Sequence, residues 1–426
     1  MRLFFILLLA LNGSLVEAAT YYTDKAGSNA NSCATAATAA SDRTKAKLTL
    51  GSTGGAGGVG CLTTAGDTLI VGDGTYTEAQ VNFGTSGTSG SRITMRAEHQ
   101  WLAILSSTSS CNPNISVNAG YISIEDMKLV IDAANVYCTP NSAAGTGVRC
   151  WAGSSACYVR GIYVDDPLDA GRKVRSHGVK SNQDDCLVEN NTLISGTEIM
   201  GNNCIVRSNT ISGGGEWKSG IVVKGGVSGV EIYSNTIDTT DTGQINDWGI
   251  VLGGNTGGVT TECTNCLAHH NLVRLSAGIK ALGFYDAVNS NFYNNTVING
   301  DYASSSAGAP GNSGNSWQNN IFSCGGGNPN SGTSGTHTID YNDFYNCTSP
   351  PAQTHNFTSD PQFVGANDFH LQSSSPLIDV GLNVGLSYNG SAPDLGGFES
   401  DSAPIAPDSL FIFITYPNRT SVQGTR

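Results

Sequence analysis

The sequence predicts an all-β chain wound as a parallel β-helix, a solenoid of coils of about 22–30 residues. Three observations predict it. A short asparagine-bearing motif recurs through the middle of the chain, apolar residues inside each copy alternate by twos, and the composition is rich in glycine and poor in charge. Glycine makes up 54 of 426 residues and charged residues 13%, against about 7% and about 25% in average proteins. That composition excludes a protein of long helices. The 13 prolines are too few for a collagen, and 39% hydrophobic residues are too many for a disordered polymer.

Charge narrows the partners. With 21 Lys+Arg against 34 Asp+Glu, the formal net charge is −13. A duplex binder displaces counterions with a basic footprint, so nucleic acid is excluded.

Taken in order, the chain opens as a leader. Met1-Arg2 precedes an apolar run from Leu3 to Leu11, and Val16-Glu17-Ala18 resembles a small-residue cleavage site. A bilayer needs about 20 apolar residues, so residues 1–18 read as a secretory signal peptide rather than a membrane span. Leu410-Phe411-Ile412-Phe413-Ile414 is also far too short to span. Twelve cysteines suit an oxidising, extracellular destination. Residues 19–400 read as one domain and 401–426 as a linker-like tail.

The repeat follows. Its pattern is CLVENNTLI from Cys186, CIVRSNTI from Cys204, VEIYSNTI from Val230, CLAHHNLV from Cys266, SNFYNNTVI from Ser290 and NSWQNNIF from Asn315. The repeated asparagines are Asn191, Asn209, Asn235, Asn271, Asn295 and Asn320, with IDYNDF placing Asp343 next, at intervals of 18, 26, 36, 24, 25 and 23 residues. Weaker copies surround Asp126 and Gly161. Alternation by twos is strand periodicity. A second strand family stands apart from the first: Gly178-Val179-Lys180, Gly220-Ile221-Val222-Val223, Gly249-Ile250-Val251-Leu252 and Gly278-Ile279-Lys280. A unit of two short strands cannot bury its apolar face alone, but stacked units share one core and align equal residues in ladders. Asparagine suits a repeated corner, because it tolerates left-handed backbone and its amide can bond the next coil. Unequal intervals fit loops inserted on one side of the cylinder.

With these motifs the chain resembles the secreted right-handed parallel β-helix proteins, the pectate lyase-like superfamily that includes alginate lyases and chondroitinase B. Thr20-Tyr21-Tyr22-Thr23 through Gly66–Tyr76 is similar to their opening coil. Asp360-Pro361-Gln362-Phe363, Asp368-Phe369-His370-Leu371, Ser375–Asp379 and Pro393-Asp394-Leu395-Gly396 resemble their closing segment. The resemblance covers roughly residues 20 to 400. It implies a right-handed helix with an acidic polysaccharide along an outer groove. It also implies a lyase reaction that removes the proton at C5 of a uronic acid and expels the oxygen at C4. The substrate carboxylate is then neutralised by Ca²⁺ or basic side chains, and a lysine or arginine serves as base.

The candidate site lies between Asp165 and Trp248. If Val179 points inward, Lys180 points outward, and Glu198 stacks beside it in the next coil. Ile221 and Val223 inward leave Val222 and Lys224 outward, and Lys280 faces the same way. Lys180, Glu198, Lys224 and Lys280 form either a charged groove or a solvated surface ladder. Lys224 ranks first as base, because its apolar strand desolvates it and favours the neutral amine. Lys180 ranks second, since Glu198 ties it up. Arg175 neutralises the substrate carboxylate, and Arg172, Lys173, His177, Lys218 and Lys280 join it in binding. Trp217 and Trp248 either stack on sugar rings or cover the core's edge. Asp184, Asp185 and Glu198 supply oxygen ligands of the kind Ca²⁺ takes. His269-His270 has no third ligand at zinc spacing. The chondroitinase-type pair of glutamates before a catalytic lysine is not matched; Glu216-Trp217-Lys218 has one glutamate at a different spacing.

Among the cysteines, Cys33 and Cys61 flank one glycine-rich loop and Cys324 and Cys347 another, and both pairs are expected to be bridged. Cys186 and Cys204 either bridge or stack, and Cys263 and Cys266 either bridge their own loop or pair elsewhere. Two classes of function remain. One is a monomeric secreted lyase, hydrolase or epimerase acting on an acidic glycan. The other is a non-catalytic adhesin or glycan-binding module.

Overall fold

The computed structural model describes residues 17–108, 112–131, 145–166, 177–213, 219–239, 248–306, 311–352 and 354–400. The leader to residue 16 and the tail from 401 lie outside the described residues. A single coil shows how the sequence builds the whole. Leu187–Glu189 is followed by Thr192–Leu193, Thr197–Ile199 and then Ile205–Arg207, which lies beside the starting strand with Val188 paired to Val206. Eighteen residues thus return the chain to its start, one strand further along, and among the described residues every strand pairing in the cylinder is parallel.

Stacking makes three faces. A 12-stranded sheet forms the first. The other two are runs of an 18-stranded sheet, made continuous because Leu272–Tyr285 and Thr296–Ser305 bend through both. The second face includes Tyr163–Asp165, Thr192–Leu193 and Thr210–Ile211. The third includes Thr146–Cys150, His177–Ser181, Thr197–Ile199, Ile221–Val223 and Trp248–Gly253. The chain is therefore a right-handed, single-stranded parallel β-helix. Its one α-helix among the described residues, Cys33–Ala36, is a single turn capped by Ser32, and the two 3-10 turns Arg43–Lys45 and Gly58–Cys61 follow it. No helix among them is long and apolar enough to cross a membrane.

Inward residues stack by type. Val188, Val206, Ile232, Ala268, Phe292 and Trp317 succeed one another behind the first face, all at most 1% exposed. At roughly 25 cal/mol per Å² of apolar surface removed from water, this shared core is the main stabilising term.

The sharp corner between the first and second faces carries the asparagine ladder. Asn191 Nδ2 donates to Asn209 Oδ1 at 2.8 Å and to the Val159 carbonyl at 3.0 Å. The same bond runs on from Asn209 to Asn235, Asn271, Asn295 and Asn320. Two expectations are corrected here. The left-handed residue is the one before each ladder asparagine: Asn190, Ser208, Ser234, His270, Asn294 and Asn319 have φ between 48° and 58°. The ladder also continues through Asn342, not Asp343, since Asn320 Nδ2 donates to Asn342 Oδ1 at 2.9 Å. Only a residue with both an amide donor and a carbonyl acceptor can pass the bond on, and aspartate lacks the donor. Asn342 N–H in turn donates to Asn356 Oδ1.

Disulfides join Cys33 to Cys61 and Cys324 to Cys347, on the two flanking loops. Cys186 is bonded to Cys204 across neighbouring coils, Cys263 to Cys266 within its loop, and Cys150 to Cys157, a pair with no sequence signal. The closing segment folds back over the outside of the last coils. Leu371, Leu377 and Leu395 pack on Ile321, and Gly397 N–H donates to Thr296 Oγ1 at 2.9 Å.

Candidate functional site

Outward positions of the third face form a column in register: Ser116, Arg149, Lys180, Glu198, Val222, Val251, Gly283 and Ala303. Strand parity fixes which residues face out, because side chains alternate across a sheet. Glu198 sits at the middle of a three-residue strand whose neighbours Thr197 and Ile199 are buried. Its carboxylate is itself wholly buried, and it is the centre of the site.

Two lysines converge on it. Lys180, in register on the preceding coil, bonds Glu198 Oε1, and Lys224, two positions past Val222 on the following coil, places Nζ 3.1 Å from Oε2. His177 Nε2 lies 3.5 Å from the same Oε2. Burial pushes the His177 imidazole down to about 4, with Lys180 and Arg149 acting in the same direction and Glu198 opposing them. It is therefore neutral at ordinary pH and 4% exposed. This corrects its assignment as a cation for sugar carboxylates: desolvation removes the charge that the role requires. The distinction drawn between the lysines is corrected as well. Glu198 engages not only Lys180, as expected, but Lys224 as well, because a long side chain two positions along reaches across the roughly 4.8 Å strand spacing.

Arg149 belongs to the column and was missed. It is 9% exposed, in register with Lys180, and its guanidinium lies 4.4 Å from the Trp151 ring. Its signal was present in Gly147-Val148-Arg149-Cys150, where an arginine stands between two inward residues.

Lys280 does not join this group. Its strand places Gly283, not Lys280, in the Glu198 column, and Lys280 stands in register with Trp248, its Nζ 4.5 Å from that ring. Trp248 is 5% exposed and packs over Val222, Val251 and Ala303. A Cβ on Gly283 would lie 1.7 Å from the indole Cζ3, so the missing side chain makes the ring's seat. Of the two roles open to Trp248, the structure shows the covering one.

Asp184 and Asp185 are not brought to Glu198. They stand at the turn after the strand His177–Ser181, where Asp184 Oδ1 accepts from Asn202 N–H at 2.7 Å and Asp185 from Asn203 Nδ2 at 3.4 Å. Among the described residues no three His, Cys, Asp or Glu side chains gather as a metal site. The set Asp184, Asp185 and Glu198 is thereby corrected, since Glu198 is engaged by lysines on the sheet while the aspartates brace the corner. His269 also gains partners there is no zinc spacing for: Nε2 is 3.1 Å from Glu231 Oε1 and Nδ1 is 2.7 Å from His270 Nδ1. Its two ring nitrogens face opposite neighbours. Arg172, Lys173 and Arg175, together with Trp217 and Lys218, lie outside the described residues. By chain order the first three lead into the strand of Lys180 and the other two into that of Lys224.

No family model matches the chain, and no curated protein matches it. Solved structures do. Pectate lyase Pel9A is 14% identical, over 90% of this chain and 96% of its own, with a TM-score of 0.48. The XylC complex with xylose is 12% identical, over 80% and 87%, with a TM-score of 0.51. A GH136 lacto-N-biosidase from Eubacterium ramulus is 12% identical, over 80% and 67%, also at 0.51. At such identities the likeness is one of fold. With its three parallel faces and stacked corners, the chain is a right-handed parallel β-helix, the fold it shares with the XylC and lacto-N-biosidase structures.

Proposed function

We propose that the chain is a secreted carbohydrate-active enzyme that cleaves an acidic, uronate-containing glycan by β-elimination on the outer side of the third face. The observation that carries this reading is the convergence of Lys180 and Lys224, from coils either side, on the buried carboxylate of Glu198. The XylC complex with xylose and the lacto-N-biosidase, which share the fold, support a carbohydrate ligand.

In this reading one lysine, with Arg175, holds the uronate carboxylate. The other, Lys224, delivers its proton to Glu198 and takes the proton at C5 as a neutral amine. The electrons of that C–H bond form the C4–C5 double bond, the C4–O bond breaks, and the departing oxygen is protonated from water. A screen of uronate polymers, followed by the ultraviolet absorbance of the unsaturated product with and without chelator, tests it. Product from a polymer, lost in Lys224→Ala with binding retained, is the expected result. No product from any polymer under any metal condition overturns it.

A second reading has its own observation. Both lysines are already bonded to one buried carboxylate, as in a structural ion triad. A non-catalytic glycan-binding module would retain a uronate polymer in affinity electrophoresis without cleaving it.

A further inference from the structure

We propose that Asp301 pins a pH-sensitive strap: the segment 325–336 lies closed along the last strand of the third face while Asp301 carries a proton, and is released as Asp301 ionises. The strap is a Gly/Ser/Asn run between Cys324 and His337 that contains no charged residue. It takes the place of the next strand. Tyr302 N–H donates to the Pro329 carbonyl at 2.8 Å, Ser331 N–H to the Tyr302 carbonyl at 3.1 Å, and Ser304 N–H to the Gly332 carbonyl at 3.0 Å. Beyond these, Ser334 N–H donates to Ser304 Oγ at 2.7 Å, and His337 Nε2 lies 2.9 Å from the same oxygen.

Asp301 sits beneath this run. It is 6% exposed; Oδ2 accepts from the Ser331 hydroxyl, while Oδ1 is buried with no hydrogen-bond partner. A carboxylate with a bare, dry oxygen is costly, whereas the neutral acid is much less so. Burial accordingly pushes the Asp301 carboxyl up to about 7, although its own backbone N–H and then Lys280, in register on the neighbouring strand, pull the other way. Burial lowers the His337 imidazole, at the strap's far end, below its ordinary value while the bond to the Ser334 carbonyl opposes this, and the ring faces Ser304 rather than Asp301. Opening would hydrate the carboxylate and bare the edge of Thr296–Ser305 that faces away from Lys280.

The sign follows from linkage. An acid whose closed-state value is raised favours the closed state in its protonated form. Closure is therefore fully stabilised below the ordinary aspartate value of 3.8, weakens above it, and has lost that contribution as pH rises through about 7.

Amide hydrogen exchange of Tyr302, Ser304, Ser331 and Ser334 in the full chain tests this, after correction for the intrinsic pH dependence of exchange. Protection should fall by up to about tenfold per pH unit from about pH 4 to about pH 7 and then level off. Asp301→Asn keeps the shape and cannot ionise, so its protection should stay flat and match the acid form. Flat protection in the wild type, or the same fall in Asp301→Asn, overturns the proposal. Should the asparagine variant fail to fold, carboxyl ¹³C titration of the wild type decides. A midpoint for Asp301 in the ordinary aspartate range overturns it, and one near 7 together with the protection profile sustains it.

Discussion

Lys224 Nζ stands 3.1 Å from Glu198 Oε2, although the two residues are 26 positions apart and belong to different coils. The residue in register with Glu198 is Val222. The ion pair therefore runs diagonally across the face, while Lys180 meets the same carboxylate straight across.

Replacing that carboxylate tests the triad. Glu198→Gln leaves the two ammonium groups facing a neutral amide, and removing one partner of a buried ion pair costs about 3–5 kcal/mol. The urea midpoint should drop accordingly, with an unchanged slope. A loss below about 1 kcal/mol, the usual worth of an exposed pair, would mean that the charges are hydrated rather than buried.

His177 makes stability depend on pH. Its value is lowered from 6.5 to about 4, so the unfolded chain binds the extra proton between these values and stability rises with pH across that window. The contribution is present above 6.5 and is lost as pH falls toward 4. His177→Gln should flatten this part of the profile, and the ring signals of the wild type should not titrate near pH 6.5. An ordinary titration of that ring in the folded protein would refute the assignment.

At the corner, Asn235 Nδ2 donates to Asn271 Oδ1 and Asn235 Oδ1 accepts from Asn209 N–H and Nδ2. Asn235→Ala should cost about 1–3 kcal/mol for each buried group left without a partner. Asp343→Asn should cost nothing at neutral pH, since burial already pushes that carboxyl up to about 7 and it lies outside the ladder. Equal losses in the two variants, compared by thermal melting, would contradict the ladder's end at Asn342 and Asn356.

Gly283→Ala places a methyl group where the Trp248 ring lies. Overpacking of this kind costs about 1–3 kcal/mol, and the displaced indole should emit at longer wavelength as water reaches it. Unchanged emission, read against a Trp248→Phe control, would show that the ring does not rest on the glycine.

Much of this architecture could be read from local pattern. Asn191, Asn209 and Asn235 announced the repeat, because a ladder needs the same donor and acceptor on every coil. The alternation Gly178-Val179-Lys180 placed Lys180 outside, and equal spacing set Glu198 beside it, because strand parity depends only on neighbouring residues. Asp343 was mistaken for a rung because the motif tolerates either adjacent residue, and only the hydrogen bonds choose Asn342.

What the sequence by itself determined was the coil: its strands, its corners, its core residues and which face Lys180, Glu198 and Lys224 turn outward. All of these follow from periodicity within a few residues. What only the tertiary structure decided was who meets whom between coils. The register shift between Lys280 and Leu282, the seat that Gly283 leaves for Trp248, the entry of Arg149 into the column and the separation of Asp184 and Asp185 from Glu198 depend on how unequal coils stack. Inserted residues change that stacking without changing the alternation on either side, and so leave no mark on the local pattern.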